Sequence, residues 1–164
     1  MKRLIVMRHA KSDWGTNAPT DHARPLNKRG RRDAPRVAQQ LVELDWLPQY
    51  IVSSDSARTR ETYELMRSAF NEAPQVEFLP TLYHAGPSDL ASVLAGVPDT
   101  VATAMALGHN PGWEQAVHWL TSNAITMTTA NAALIECDVD SWSDVVRHAG
   151  SWKLRDVIRP KEIA

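Results

Sequence analysis

Apolar residues along the chain fall into two kinds of pattern, and the two alternate. Continuous apolar runs such as RLIVM (3–7) and YIVSS (50–54) read as strands buried on both faces. VEFL (76–79) and TVATAMAL (100–107) give a third and a fourth strand. Between the runs, apolar residues recur at helical spacing. Ala34, Val37, Ala38, Leu41 and Leu44 follow Asn27, and Pro48 ends that unit. Thr62, Leu65, Met66, Ala69 and Phe70 follow Ser54 or Asp55 as the expected cap. Ser88 opens a short helix carrying Leu90, Val93 and Leu94. Asn110-Pro111 marks a helix start, with Asn as cap and Pro at the first helical position. Trp113, Ala116, Val117 and Leu120 form that helix's buried stripe. AALIECDV (132–139) and WKLRDVI (152–158) read as two late strands joined by a polar turn region, and residues 15–26 as a loop. The alternation predicts an α/β sheet with helices on both faces. No helix separates the last two strands, so they are expected to run antiparallel to each other at an edge.

Composition narrows this only a little. The 164 residues suit one domain over 1–164, and 43% apolar with 23% charged residues is ordinary for a globular chain. The formal net charge is −1, so no global field draws the protein to nucleic acid or a membrane, and an anion site has to be built locally. Cys137 is the one cysteine, which excludes an internal disulfide and fits a reducing compartment. Its setting, ALIECDV, is that of a buried strand residue rather than a nucleophile. No apolar run approaches the roughly 20 residues that span a bilayer. The apolar run in MKRLIVMRH is too short for a secretion signal, so the expected compartment is the cytoplasm.

The candidate chemistry sits where strands end. In open α/β sheets, ligands bind beyond the carboxyl ends of the strands. The first strand ends in Arg8-His9. The second ends in Ser53-Ser54, with Arg58 in the first turn of the next helix. The fourth ends in Gly108-His109, where another helix begins. Two arginines, two histidines and two helix N-termini are thereby placed at one crevice, which suits an anion. A phosphoryl group matches best, since each guanidinium binds paired oxygens through a fork. A neutral His9 is a competent nucleophile toward phosphorus. His109, as an imidazolium, would donate to a non-bridging oxygen. The cations supply charge stabilisation without a metal or other cofactor. Asp13 and Asp21 are scattered acids expected in solvent or in salt bridges. His22, His118 and His148 share no ligand spacing, so no metal site is expected.

With those residues in place, the chain resembles the histidine phosphatase superfamily, in its compact branch like the phosphohistidine phosphatase SixA. LIVMRHAKSDW (4–14), RPLNKRG (24–30), VSSDSARTRET (52–62), LYHA (82–85), GHNPG (108–112) and WKLRDVIRP (152–160) carry the resemblance. It implies a three-layer α/β/α sandwich with a mostly parallel sheet, of phosphoglycerate mutase type. It also implies that His9 is the nucleophile and that Arg8, Arg58 and His109 bind the phosphoryl group. Ala10 replaces the superfamily's glycine, which needs only an unstrained negative φ.

The second departure is chemical. Many superfamily members carry a carboxylic acid after the third strand, whereas LYHAG places His84 near that point. His84 is the candidate general acid; the alternative is a loop histidine packed on Tyr83. Without a strong acid, an alkoxide is a poor leaving group, whereas imidazole leaving phosphohistidine can take its proton from solvent. The expected substrate is therefore a protein carrying phosphohistidine. The alternatives are a small phosphate ester or anhydride, or a non-catalytic phosphate-binding module. The short 80–99 connection leaves the crevice open to a projecting side chain.

Three further features bear on partners. The basic run NKRGRRDAPR (27–36) is either the solvated face of a helix start or a dock for an acidic phosphoprotein. It carries no interleaved aromatics, so single-stranded nucleic acid is not expected. Arg24 either pairs with Asp21 or reaches the phosphate pocket, and Trp14 stands at the substrate rim. Nothing in the sequence fixes the oligomeric state.

Overall fold

A computed structural model describes residues 1–163. Six strands form one mixed sheet: β1 (Lys2–Arg8), β2 (Tyr50–Ser54), β3 (Gln75–Leu79), β4 (Thr103–Gly108), β5 (Ala132–Cys137) and β6 (Lys153–Ile158). Their order is β3-β2-β4-β1-β5-β6. The β3, β2, β4 and β1 strands are mutually parallel, β5 runs antiparallel to β1, and β6 runs antiparallel to β5 at the edge. This is the phosphoglycerate mutase-like α/β architecture, with the last two strands paired as their lack of an intervening helix requires.

Burial follows from the alternation of side chains across the sheet. Leu4 and Val6 of β1 face one core with Trp113, Leu120 and Leu90, from α4 (Gly112–Thr121) and α3 (Pro87–Leu94). Ile5 and Met7 face a second core with Val37, Leu41 and Met66, from α1 (Lys28–Glu43) and α2 (Ala57–Met66). The central strands are buried on both faces, which is why they read as unbroken apolar runs, whereas the edge strands β3 and β6 are half exposed. Cys137 is buried in the first core. Trp142 and Trp152 stack there with ring centroids 6.4 Å apart. Among the described residues, no helix is long and apolar enough to cross a membrane.

The strands β1, β3 and β6 start one residue away from the sequence reading, and four other element starts differ in ways that have a visible cause. Ser56, not Ser54 or Asp55, caps α2 by accepting from the Thr59 amide. Ser54 is still in β2, paired with Leu79. The fourth strand begins at Thr103 because the preceding residues turn, with Val101 N–H donating to Pro98 O at 3.0 Å. The short helix begins at Pro87, one residue before Ser88, and Asp89 accepts from the Gly86 amide at 2.9 Å. The helix after Asn110-Pro111 begins at Gly112; Asn110 still caps it from one residue further out, its Oδ1 accepting from Glu114 N–H at 3.3 Å.

Register aligns the strand ends that matter. Arg8 lies opposite Gly108, and Ser53 opposite Leu107, so the exits of β1, β2 and β4 share one edge of the sheet. His9 N–H donates to Gly108 O at 3.0 Å, extending that pairing past the strand. Gly112 lets α4 start close by. A Cβ there would lie 1.8 Å from Ala85 O, a clash with backbone that no rotamer relieves. Gly112→Ala is expected to cost about 1–3 kcal/mol by overpacking. Thermal unfolding would read this as a Tm lower by about 3–10 °C; an unchanged Tm would show that the 84–86 turn yields freely.

Candidate active site

Arg8, His9, Arg58 and His109 all line one cavity of about 220 Å³ at this edge. The rings of His9 and His109 lie 5.2 Å apart between centroids, tilted by 54°. Both rings and the Arg58 side chain are buried.

His9 is held in one tautomer. Its Nδ1 lies 2.6 Å from Ala10 O, which can only accept, so Nδ1 carries the proton. Nε2 keeps its lone pair. Burial, reinforced by the charges of Arg58 and Arg8 and by His109, pushes the ring down to about 3, so it is neutral at physiological pH. The backbone beyond His9 is tied to α2: Ala10 N–H donates to Thr62 Oγ1 at 3.1 Å, and that hydroxyl donates to Arg58 O at 2.7 Å. One threonine thus links the β1 exit to the turn that carries Arg58.

Arg58 is aimed by Asp21. Its Nη1 donates to Asp21 O at 2.9 Å and its Nη2 to Asp21 Oδ2 at 3.2 Å. Tyr83 O–H donates to the same Oδ2, and Arg24 Nε donates to Oδ1 at 2.9 Å. The Tyr83 hydroxyl, then Arg24 and Arg58, hold the Asp21 carboxyl well below the usual carboxylate range. Sequence reasoning assigned Asp21 to solvent or a salt bridge; the Arg24 pair exists, and the cavity contact is the part it missed. Arg24 does both things considered for it, since it pairs with Asp21 and lines the cavity. Its guanidinium also sits 3.5 Å from the centre of the Trp14 ring. Trp14 is 73% exposed and lines the cavity mouth, the rim position expected for it.

His109 differs electrostatically from the sequence reading. Burial, then the neighbouring Arg58, His84 and Arg8, push it down to about 3, so it is a neutral ring rather than an imidazolium. Its Nε2 lies 2.8 Å from Ser54 Oγ. That hydroxyl oxygen also accepts from Ser56 N–H at 3.3 Å. With Nε2 engaged by the serine, a proton carried on Nδ1 would let the ring donate without needing a charge.

Arg8 Nη1 donates to Met127 O at 3.0 Å. Arg8 Nε, Arg58 Nε and His109 Nδ1 are buried and have no hydrogen-bond partner among the described residues. Buried donors left unpaired are costly, about 1–3 kcal/mol each. Three of them belong to residues that line one cavity, an arrangement suited to an anion with several acceptor oxygens.

The family description "Histidine phosphatase superfamily (branch 1)" matches residues 4–83, which include Arg8, His9 and Arg58. The chain belongs to the histidine phosphatase superfamily. It is 41% identical to an uncharacterised chloroplastic protein of Arabidopsis thaliana, over 97% of this chain and 78% of that one. It superimposes with a TM-score of 0.82 on a structure from Agrobacterium tumefaciens described as a candidate phosphohistidine phosphatase SixA. Identity there is 25%, over 97% of this chain and 98% of the other. The protein histidine phosphatase SixA complexed with tungstate shares the fold at a TM-score of 0.83, with 20% identity over 99% of both chains. These comparisons support a phosphatase within the superfamily.

At the position where this histidine phosphatase was expected to carry a general acid, the structure places His84 outside the cavity lining. His84 is exposed and its ring packs against Tyr83 at a tilt of 43°, with centroids 3.9 Å apart. It sits at a φ of 61°. Tyr83 is the residue of LYHA that reaches the site, through Asp21. Among the described residues, no group of three or more His, Cys, Asp or Glu could hold a metal ion.

Proposed function

We propose that this phosphatase removes the phosphoryl group from phosphohistidine on a protein, without a metal, through a phosphorylated His9. One observation carries the choice of substrate: the carboxylate in the cavity, Asp21, is locked as an anion by Tyr83, Arg24 and Arg58. It cannot give a proton to a departing oxygen. The neutral rings of His9 and His109 hold no spare acidic proton either. The leaving group must therefore bring its own basicity and take its proton from water, as imidazole does.

In the first step His9 Nε2 attacks phosphorus and forms an N–P bond as the substrate's N–P bond breaks. The departing nitrogen keeps the bonding pair and takes a proton from solvent. In the second step water attacks the phosphorus, loses a proton to solvent, and returns the pair to Nε2 with release of phosphate. Arg8, Arg58 and the His109 Nδ1–H face the oxygens throughout and supply the charge stabilisation that phosphoryl transfer needs. Trp14 and the open mouth suit a side chain projecting from a protein surface.

The test is turnover of a phosphohistidine peptide against a panel of alkyl phosphate monoesters, each with and without EDTA. The peptide is expected to exceed the alkyl esters by at least about 10²-fold in kcat/KM, the scale of a general-acid contribution, with no loss in EDTA. Alkyl esters turned over as fast as the peptide would point instead to the small-ester reading. His84→Ala, slowing esters alone, would then locate the acid.

A further inference from the structure

The first turn of α1 breaks a local rule. Helix N-termini favour acids, yet Lys28, Arg29, Arg31 and Arg32 crowd this one and its first turn holds no acid. Arg31 pairs with Glu61 at 3.8 Å, but the balancing charge of Arg29 and Arg32 is thin. Asp33, buried to 6% side-chain exposure, is 3.8 Å from Arg29 Nε, 3.4 Å from Arg32 Nε and 3.4 Å from Arg36 Nη1. One carboxylate thus serves three guanidiniums. Arg36 is also held by Ile163 O at 2.7 Å, whereas Arg29 and Arg32 remain 47% and 64% exposed. These residues, with Lys161, surround a cavity of about 160 Å³ closed on one side by Thr128 and Thr129. Thr129 also lines the catalytic cavity, and Arg29 Nη2 lies 3.4 Å from its hydroxyl. The two cavities are neighbours with one residue in common.

A cluster that opposes its own helix dipole and is under-neutralised gives up stability for something else. We propose that this cavity docks carboxylate side chains flanking the phosphorylated residue of an acidic protein segment. The choice of a protein partner rests on the reading in the preceding subsection. The lining favours carboxylates over nucleic acid: it offers a few exposed cations around a buried Asp33, and no aromatic side chain lines the cavity to stack a base. The whole chain carries a net charge of −1, so no global field extends the attraction beyond the patch, and a short acidic stretch is all that the patch can engage.

Anisotropy of two fluorescein-labelled, unphosphorylated peptides tests this. They differ only in carrying three Glu or three Gln beside the target His. At low salt the Glu peptide is expected to bind at least tenfold tighter, with the advantage shrinking as salt is raised. The double variant R29A/R32A should bring the two within twofold, and R29K/R32K should restore most of the preference, which separates charge from folding. Equal affinity in the parent, a preference that survives R29A/R32A, or an oligonucleotide of equal charge outcompeting the Glu peptide would overturn the docking site. Turnover of the phosphorylated peptides is read separately: Glu-selective binding without hydrolysis counts against the phosphohistidine reading and leaves the dock standing.

Discussion

His9→Ala is expected to lower kcat/KM on a phosphohistidine peptide by at least about 10⁴-fold, as loss of a covalent nucleophile does. Its structural basis is narrow. The Nδ1 proton is committed to Ala10 O at 2.6 Å, so the free lone pair of this neutral ring is on Nε2. The two serine hydroxyls nearest these rings and arginines are engaged. Ser12 Oγ accepts from Arg24 Nη1 at 2.7 Å, and the Ser54 hydroxyl is committed to His109. Inorganic phosphate should still bind to the variant, because Arg8, Arg58 and His109 remain. Trapping separates the two properties. Phosphohistidine survives an alkaline quench and is lost in acid, so the parent should show an alkali-stable label that His9→Ala lacks. A label that persists in the variant would shift the nucleophile to His109, and a rate within tenfold of the parent would remove covalent catalysis from the mechanism altogether.

What could be read from sequence was set by which residues announce themselves locally. Arg8-His9 and Gly108-His109 interrupt apolar runs, and the rule that ligands gather at carboxyl ends of strands brings them together before any coordinates exist. Arg58 follows from its place in the first turn after the second strand. Asp21 gives no such signal: it lies in an aperiodic loop, and its importance comes from meeting Arg58 and Tyr83 across the chain. Ser54 looked like a helix cap because serine favours caps; the strand instead continues through it, and its hydroxyl fixes the His109 ring. The charge state of His109 was beyond sequence for another reason. Titration depends on burial and on like charges nearby, and both are properties of the assembled site. The antiparallel last pair was legible from the missing helix, whereas the order β3-β2-β4-β1-β5-β6 was not, because long-range pairing leaves no trace in local periodicity.

Arg58→Met should separate function from stability in a way no core substitution would. The guanidinium is buried beside other positive or proton-poor groups, and its charge helps depress Arg8, His9 and His109. Removing it relieves that repulsion. Asp21 is not stranded by the change, since Arg24 and Tyr83 still hold it. The free variant is therefore expected to unfold at the parent's Tm or above it. The response to phosphate should show the opposite. At 100 times Kd, phosphate stabilises the parent by about 2.7 kcal/mol, a rise of about 5–10 °C for a chain of this size. The same concentration should move Arg58→Met by little. Its kcat/KM should fall by about 10²–10³-fold, the usual cost of losing one charge-stabilising donor from a transition state. Arg58→Lys should recover only part of this, because a single ammonium cannot reproduce the fork that spans two oxygens. A variant that unfolds well below the parent while keeping the full phosphate response would show that Arg58 holds the fold and that the anion is bound by other groups.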